Sequence, residues 1–443
     1  MRKRISAFFS VLAAIVLLTV PASAASSGST LKIICADAGQ VIFTPPGSTQ
    51  YAYRYGPAIL IDGDRIDIWA SAPPLVSNGV RYGNDSIEYI RSTDGGKTWT
   101  EWKTVLYPTL NSEDQWSTCD PGAFKYGDYY YVGYTGSPEF RTNPDKEKQV
   151  NNLFIARAKN PEGPYEKWNG NGWGGDPYAI TRYSGDGVGC SMPSFTVKGD
   201  TLYMYYVDQT HPDQDWNSEG NISVSTFSLK DPNWPGNELS NKMCENKPEE
   251  VRYCPDIDKF IGFQLKGGWD YDSYVEIYES TDGVNFTKTS SFRNNFPHYA
   301  HNIGISGNNL GQLDLSIQNY IGTAYTPTGV EAWWGHWHTQ LIPLYIREEQ
   351  PSPTTSSQPS GSTDSSSRKP TTSSVGSTDG ESSETEVSEP QNSNIESTVS
   401  DDKDKDKEVN NKTEQQEETS YLWLYIVIGA VVVLAGAGTA VYF

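Results

Sequence analysis

Helical periodicity is what this chain has least of. Between residues 30 and 347 no long stretch repeats its apolar residues every three to four positions. Helical bundles and helix-covered parallel sheets are therefore poor descriptions of it. Cysteine is scarce as well: Cys35, Cys119, Cys190, Cys244 and Cys254 in 443 residues. An odd number at irregular spacing is no disulfide framework, and without a C-x-x-C a zinc site has no support. Cys244 and Cys254 are the nearest pair for a bridge in an exported protein, with buried thiols the alternative. No Gly-rich phosphate loop, H-E-x-x-H or Ser-His-Asp order occurs, so no cofactor and no metal is expected. Basic residues are outnumbered, 34 against 55, for a net charge of −21. That balance argues against nucleic acid as a partner.

Long apolar runs are confined to the two ends. Met1-Arg2-Lys3-Arg4, an apolar stretch to Val20 and Pro21-Ala22-Ser23-Ala24 have the three-part layout of a secretory signal peptide, residues 1–24. An uncleaved anchor is the alternative, and the apolar stretch is short for a span. Residues 421–443 carry no charge and are long enough to cross a bilayer as one helix, with Trp423 and Tyr425 at its outer edge. Residues 350–420 are rich in Ser, Thr and acids, 15 acidic against 6 basic, which makes −9 of the −21. Such a segment cannot build a core and reads as a disordered stalk. The expectation is a single-pass protein of the cell membrane, held by its C-terminal helix, with residues 27–347 outside the cell.

Those residues follow a long, degenerate repeat. Each unit opens on a residue before Pro or a small residue, then a strand, a Gly/Asp turn, an aromatic strand and a third strand. The openings are Gly56-Pro57, Asp120-Pro121, Ser191-Met192-Pro193, Cys254-Pro255-Asp256 and His301-Asn302. Five small antiparallel sheets in series give an all-β fold, a five-bladed β-propeller. The early strand Leu31–Cys35 is then expected to complete the last blade. A β-sandwich or a pair of them is the alternative.

Ser92-Thr93-Asp94-Gly95-Gly96-Lys97-Thr98-Trp99 fits S-x-D-x-G-x-T-W, and Ser280–Phe286 repeats it imperfectly. The motif resembles the Asp-box of sialidases and other propeller-shaped carbohydrate-active proteins. Its Ser and Asp can bond nearby backbone amides, its glycines permit positive φ, and its Trp packs the turn down. The five-unit plan, Asp120-Pro121-Gly122-Ala123-Phe124-Lys125 and the turn Asn160-Pro161-Glu162-Gly163-Pro164-Tyr165 look like the arabinanase/β-xylosidase propeller family, over roughly Tyr53–Ile346. That resemblance implies a glycoside hydrolase with a carboxylate at each of the first three openings. Asp120 matches the second, while Gly56 and Ser191 stand where the other two belong. Tyr53-Arg54-Tyr55-Gly56-Pro57-Ala58-Ile59-Leu60, with Asp85 shortly before Ser92–Trp99, is also similar to the start of a sialidase, which implies that Arg54, with Arg65 or Arg81, binds a substrate carboxylate and that Asp85 is an acid.

Inner strands of a propeller line its channel, so the openings are where chemistry is sought. The catalytic candidates are Asp120, which orients or tunes the reacting centre, and Asp256 and Asp85 as acid or base. The structural alternatives are a backbone-bonding Asp120 and turn residues at Asp85 and Asp256. Arg54, Trp69, Trp116, Tyr134, Trp269, Trp333 and His301 are the candidates to bind sugar, the aromatics by stacking, and blade packing is the alternative for several of them. His298 and His301 suit a metal or a sugar hydroxyl, with a hydrogen-bonded structural role the alternative. The expected ligand is an extracellular glycan. The expected activity is glycoside hydrolysis, or, because two carboxylates are missing, glycan binding without turnover.

Overall fold

The computed structural model describes residues 29–47, 52–138, 150–182, 188–209, 220–327 and 336–349. The expected signal peptide, stalk and membrane span, and Trp333, lie outside them. The described residues contain strands and turns and no helix.

Five four-stranded antiparallel units follow in chain order. The first is Tyr55–Asp62, Arg65–Ala72, Ser86–Ser92 and Lys103–Leu106. The second is Ser117–Tyr126, Tyr129–Ser137, Asn152–Ala158 and the short Glu166–Lys167. The third is Gly189–Lys198, Thr201–Gln209, Asn221–Ser228 and Glu238–Met243. The fourth is Glu250–Cys254, Lys259–Lys266, Tyr274–Ser280 and Thr287–Phe292. The fifth is Ala300–Gly307, Tyr320–Tyr325 and His338–Glu349, and its outer strand is Thr30–Cys35 from the start of the fold, paired Ile33 to Ile346. The first strand of each unit lies against the first strand of the next. The fifth meets the first through a short parallel bridge, Ser306–Ile59 and Gly307–Leu60. This is the strand arrangement of a five-bladed β-propeller.

The core is a set of slabs between neighbouring blades. Trp69, Tyr89, Tyr134 and Phe154 fill the slab between blades one and two, and Phe124, Phe195, Met204 and Phe227 the next. Tyr205, Val251, Phe260 and Phe286 separate blades three and four. Ile261, Phe263, Ile303 and Ile305 separate four and five, joined by Leu31, Ile33 and Cys35 of the closing strand. Ile59, Ile66, Ile68 and Leu341 join blade five to blade one. Strands sandwiched in this way are buried on both faces, which explains runs such as Ala58-Ile59-Leu60-Ile61. All five cysteines are buried and unpaired, so Cys244 and Cys254 form no bridge.

The channel is pinched below its mouth. A Cβ on Gly122 would stand 2.0 Å from the Pro193 carbonyl oxygen, and one on Gly304 1.6 Å from that of Pro57. Inner strands can approach that closely only because these residues have no side chain. On the rim, Ser92 Oγ accepts the Gly96 amide (2.9 Å), while Asp94 accepts the Thr98 amide (2.9 Å) and hydroxyl (2.6 Å). These bonds hold the half-buried Asp94 carboxyl down at about 2. Asp282 makes the matching bonds to the Val284 and Asn285 amides in the fourth blade.

Candidate functional site at the channel mouth

Four of the five inner strands carry the same irregularity near their start. Gly56, Asp120, Met192 and Asn302 all have left-handed φ, between 48° and 57°. The register against the second strand slips at each of them. A bulge with positive φ turns one residue of each strand toward the axis. Gly and Asn adopt this φ readily, Asp less so, and Met at the cost of strain. A hydroxyl of the preceding blade fixes two of the bulges. Ser71 Oγ accepts the Asp120 amide at 2.7 Å, and Thr135 Oγ1 accepts the Met192 amide at 2.9 Å.

The bulges bring Asp120, Asn302 and Gly56 together. Asn302 Nδ2 donates to Asp120 Oδ1 at 3.2 Å, and a Cβ on Gly56 would lie 3.5 Å from the same oxygen. Cys119 Sγ donates to Asp120 Oδ2 at 3.5 Å and lies 3.4 Å from Ser117 Oγ. That serine donates to Asp85 Oδ2 at 2.8 Å. Asp85 also accepts Tyr53 Oη (2.5 Å) and Asn84 Nδ2 (3.2 Å). Burial raises the Asp120 carboxyl to about 6, opposed by the bonds from Cys119 and Thr135, with the Asp85 charge adding to the rise. Burial raises Asp85 too, against three donors that favour its ionised form.

An aromatic wall stands beside this pair. His301 packs 5.4 Å from Tyr55, 4.5 Å from Trp269 and 4.6 Å from Trp337, ring centre to ring centre. Trp337 is fully buried, whereas Trp269, held at φ 72°, is 41 % exposed. Burial lowers His301 to about 3, so it is neutral at physiological pH. Arg252 is buried among the inner strands of blades three, four and five. It donates to the Ile305 carbonyl (2.6 Å) and Ser194 Oγ (2.7 Å) and pairs with Glu250 at 2.8 Å. Burial lowers Arg252 and raises Glu250, and their ion pair opposes both shifts.

The candidates from sequence divide into two sets. Asp120, Asp85, His301 and Trp269 converge on the mouth, and Trp116, half-buried, directly precedes the second inner strand. The others are placed elsewhere. Trp69 and Tyr134 are fully buried between blades one and two, bonded to Tyr165 and Asp114. Their place in the slab leaves no face for a sugar. Arg54 points out between blades, paired with Glu88 at 2.5 Å and stacked on Phe43 and Trp102. Arg65 pairs with Asp67 (2.8 Å), and Arg81 donates to the Gly83 carbonyl (2.9 Å). Asp256 lies in the turn after Glu250–Cys254, at the end of the blade away from the mouth, and accepts the Leu315 amide. The fourth opening is therefore Glu249-Glu250 and not Cys254-Pro255-Asp256. His298 stacks on Tyr271 at 3.8 Å beside Arg293. Among the described residues no cluster of three His, Cys, Asp or Glu side chains suits a metal. Asn302, Trp337 and Glu250 escaped the sequence reading. Asn302 was legible as the repeat's counterpart of Asp120, and Glu250 as the residue two after Pro248.

No family model matches this sequence. No curated protein sequence matches it. Solved structures of glycoside hydrolases do resemble it. An α-L-arabinofuranosidase from Podospora anserina, bound to cellotriose, is 12 % identical over 72 % of this chain and 98 % of its own, with a TM-score of 0.46. A family 117 glycoside hydrolase of Zobellia galactanivorans is 16 % identical over 72 % and 90 %, with a TM-score of 0.47. A family 43 enzyme of Bacteroides ovatus is 14 % identical over 70 % and 54 %, with a TM-score of 0.42. At such identities no residue role passes from them to this chain.

Proposed function

We propose that this protein is a glycoside-hydrolase-type propeller that engages extracellular glycans at its channel mouth. The observation that carries the reading is Asp120. It is a half-buried carboxyl at the mouth, raised to about 6, with Asn302 bonded to one oxygen and an exposed Trp269 on the neighbouring wall. A carboxyl poised near neutrality is suited to give a proton to a leaving glycosidic oxygen, and an exposed indole to stack on a sugar ring. Trp116 is a further candidate for the sugar's rim contacts. The apolar ends of the sequence support a place outside the cell, on the membrane.

A second reading is glycan binding without turnover. Hydrolysis uses two carboxylates about 5–10 Å apart. Here Asp85 is spent on Tyr53, Ser117 and Asn84, Glu250 is tied to Arg252, and the first and third openings carry none. One experiment separates the readings. Membrane-impermeant aryl-glycosides are offered to intact cells, and the full chain is tested on a glycan array. The enzyme reading expects turnover outside the cell that falls at least 100-fold in Asp120→Asn. Array binding with no turnover leaves the binding module, and neither binding nor turnover overturns both.

A further inference from the structure

A cleft opens on the outer rim between blades one and two, and none of its lining residues belongs to an inner-strand bulge. It encloses about 530 Å³ and is lined by Arg65, Arg91, Lys103 to Val105 and the turn Asn160 to Pro164. The second, third and fourth strands of blade one supply its three cations from one face, because Asp67 pairs with Arg91 and Tyr89 with Lys103 in the register. In a chain of net charge −21 such a cluster is not the average of the surface.

The cations are only partly spent. Arg65 gives Nε to Asp67 and lies over the Tyr130 ring, and its Nη2 is buried without a hydrogen-bond partner. Arg91 gives Nη1 to Glu162 Oε1 at 3.1 Å, and its Nε is buried without a hydrogen-bond partner. Lys103 Nζ lies 3.8 Å from Glu162 Oε2 and is 61 % exposed. Three cations thus face two carboxylates, one of which, Glu162, is itself 40 % exposed and spans Arg91 and Lys103. Its carboxylate sits where an incoming anion of the same shape would be held. Arg favours that geometry because its planar fork pairs two oxygens at once.

The rest of the lining suits a group larger than an ion. Pro164 and Val105 present apolar area, Thr104 and Asn160 present neutral hydrogen-bonding groups, and the volume is within the range of small-ligand pockets. We propose that this rim cleft is a second saccharide site, selective for a carboxylate-bearing (uronate) sugar, which displaces Glu162 from Arg91 and Lys103. It is separate from the channel mouth and uses none of its residues.

The test is calorimetric titration of the detergent-solubilised full chain with trigalacturonate, with neutral galactotriose and inorganic sulfate as controls. Trigalacturonate is expected to bind, galactotriose not, and sulfate at least tenfold more weakly. Arg91→Gln with Lys103→Gln should weaken trigalacturonate at least tenfold, with thermal melting checked to show the fold is kept. Glu162→Gln, at an exposed position, should tighten it several-fold by removing the internal competitor. Asp120→Asn should leave this binding unchanged whatever it does to the mouth. Absent trigalacturonate binding, equal binding of galactotriose or sulfate, or a Glu162→Gln variant that binds no tighter would overturn the proposal. Binding that vanishes in Asp120→Asn would overturn it too, by placing the sugar at the mouth.

Discussion

Asp120 carries three constraints at once: a left-handed φ, a hydrogen bond from Asn302 and partial removal from water. Asparagine tolerates the same φ and has nearly the same shape, so Asp120→Asn isolates the charge. Because the folded carboxyl titrates near 6 and its ordinary value is 3.8, the native state holds its proton more tightly than the unfolded chain. The stability this contributes is present below about pH 4 and is lost as pH rises through 6. Asp120→Asn is therefore expected to be more stable than the parent at pH 7.5, by about 1–3 kcal/mol. The gap should close at pH 4, as read by urea unfolding at both pH values. A variant no more stable at pH 7.5 would mean that the carboxyl is not strained there. The same residue is the one whose loss should remove turnover, an opposition of stability and activity that sites with buried charge often show.

The inner strands are elements in which glycine decides the packing. Gly304 lies against the Pro57 carbonyl, closer than any side chain allows, while Gly63, in a rim turn at φ 62°, faces open space. Gly304→Ala is expected to cost at least about 3 kcal/mol, because inner strands must part. Gly63→Ala is expected to cost only about 1 kcal/mol, for φ alone. Equal losses in chemical denaturation would count against an inner ring closed by glycine contacts. The bulges belong to the same elements. Their Pro-flanked openings were visible in the sequence in blades one to three. In blade four the Pro255 pattern misled, since Pro255 follows the inner strand where in blades one to three Pro falls near its start. A proline marks a break in a strand but does not say which end of it has been reached.

For the molecule as a whole, the ring is closed by a strand from the other end of the fold. Leu31 and Ile33 bury themselves in the slab between blades four and five, and the strand is anchored laterally. Glu279 accepts the Leu31 amide at 2.9 Å, and Lys259 donates to the Ser29 carbonyl. Slabs shared by neighbouring blades make the closure cooperative, since no blade buries both faces alone. Ile33→Ala is expected to destabilise the propeller by about 2–4 kcal/mol. Unfolding should remain a single transition by tryptophan fluorescence and circular dichroism. Two separated transitions would mean that the closing strand detaches without opening the ring.

The strands, the repeat and the rim turns at Ser92 and Ser280 are legible from residue order alone, because turn chemistry and alternation are local. That order singles out Asp120 for the same reason: the residue before Pro at a repeat opening is a local signature. Burial and partnership instead depend on how blade packs on blade. Trp69 and Tyr134 have the composition of sugar platforms, yet neighbouring blades enclose them; Trp269, chemically alike, is left in solvent. Arg54 carries the charge a ligand carboxylate would want, yet Glu88 meets it first. Asn302 and Asp120 are 182 residues apart and touch only because the ring closes. Local patterns fix which conformations a segment prefers, and only the packing of blade on blade decides which side chains keep a face toward water.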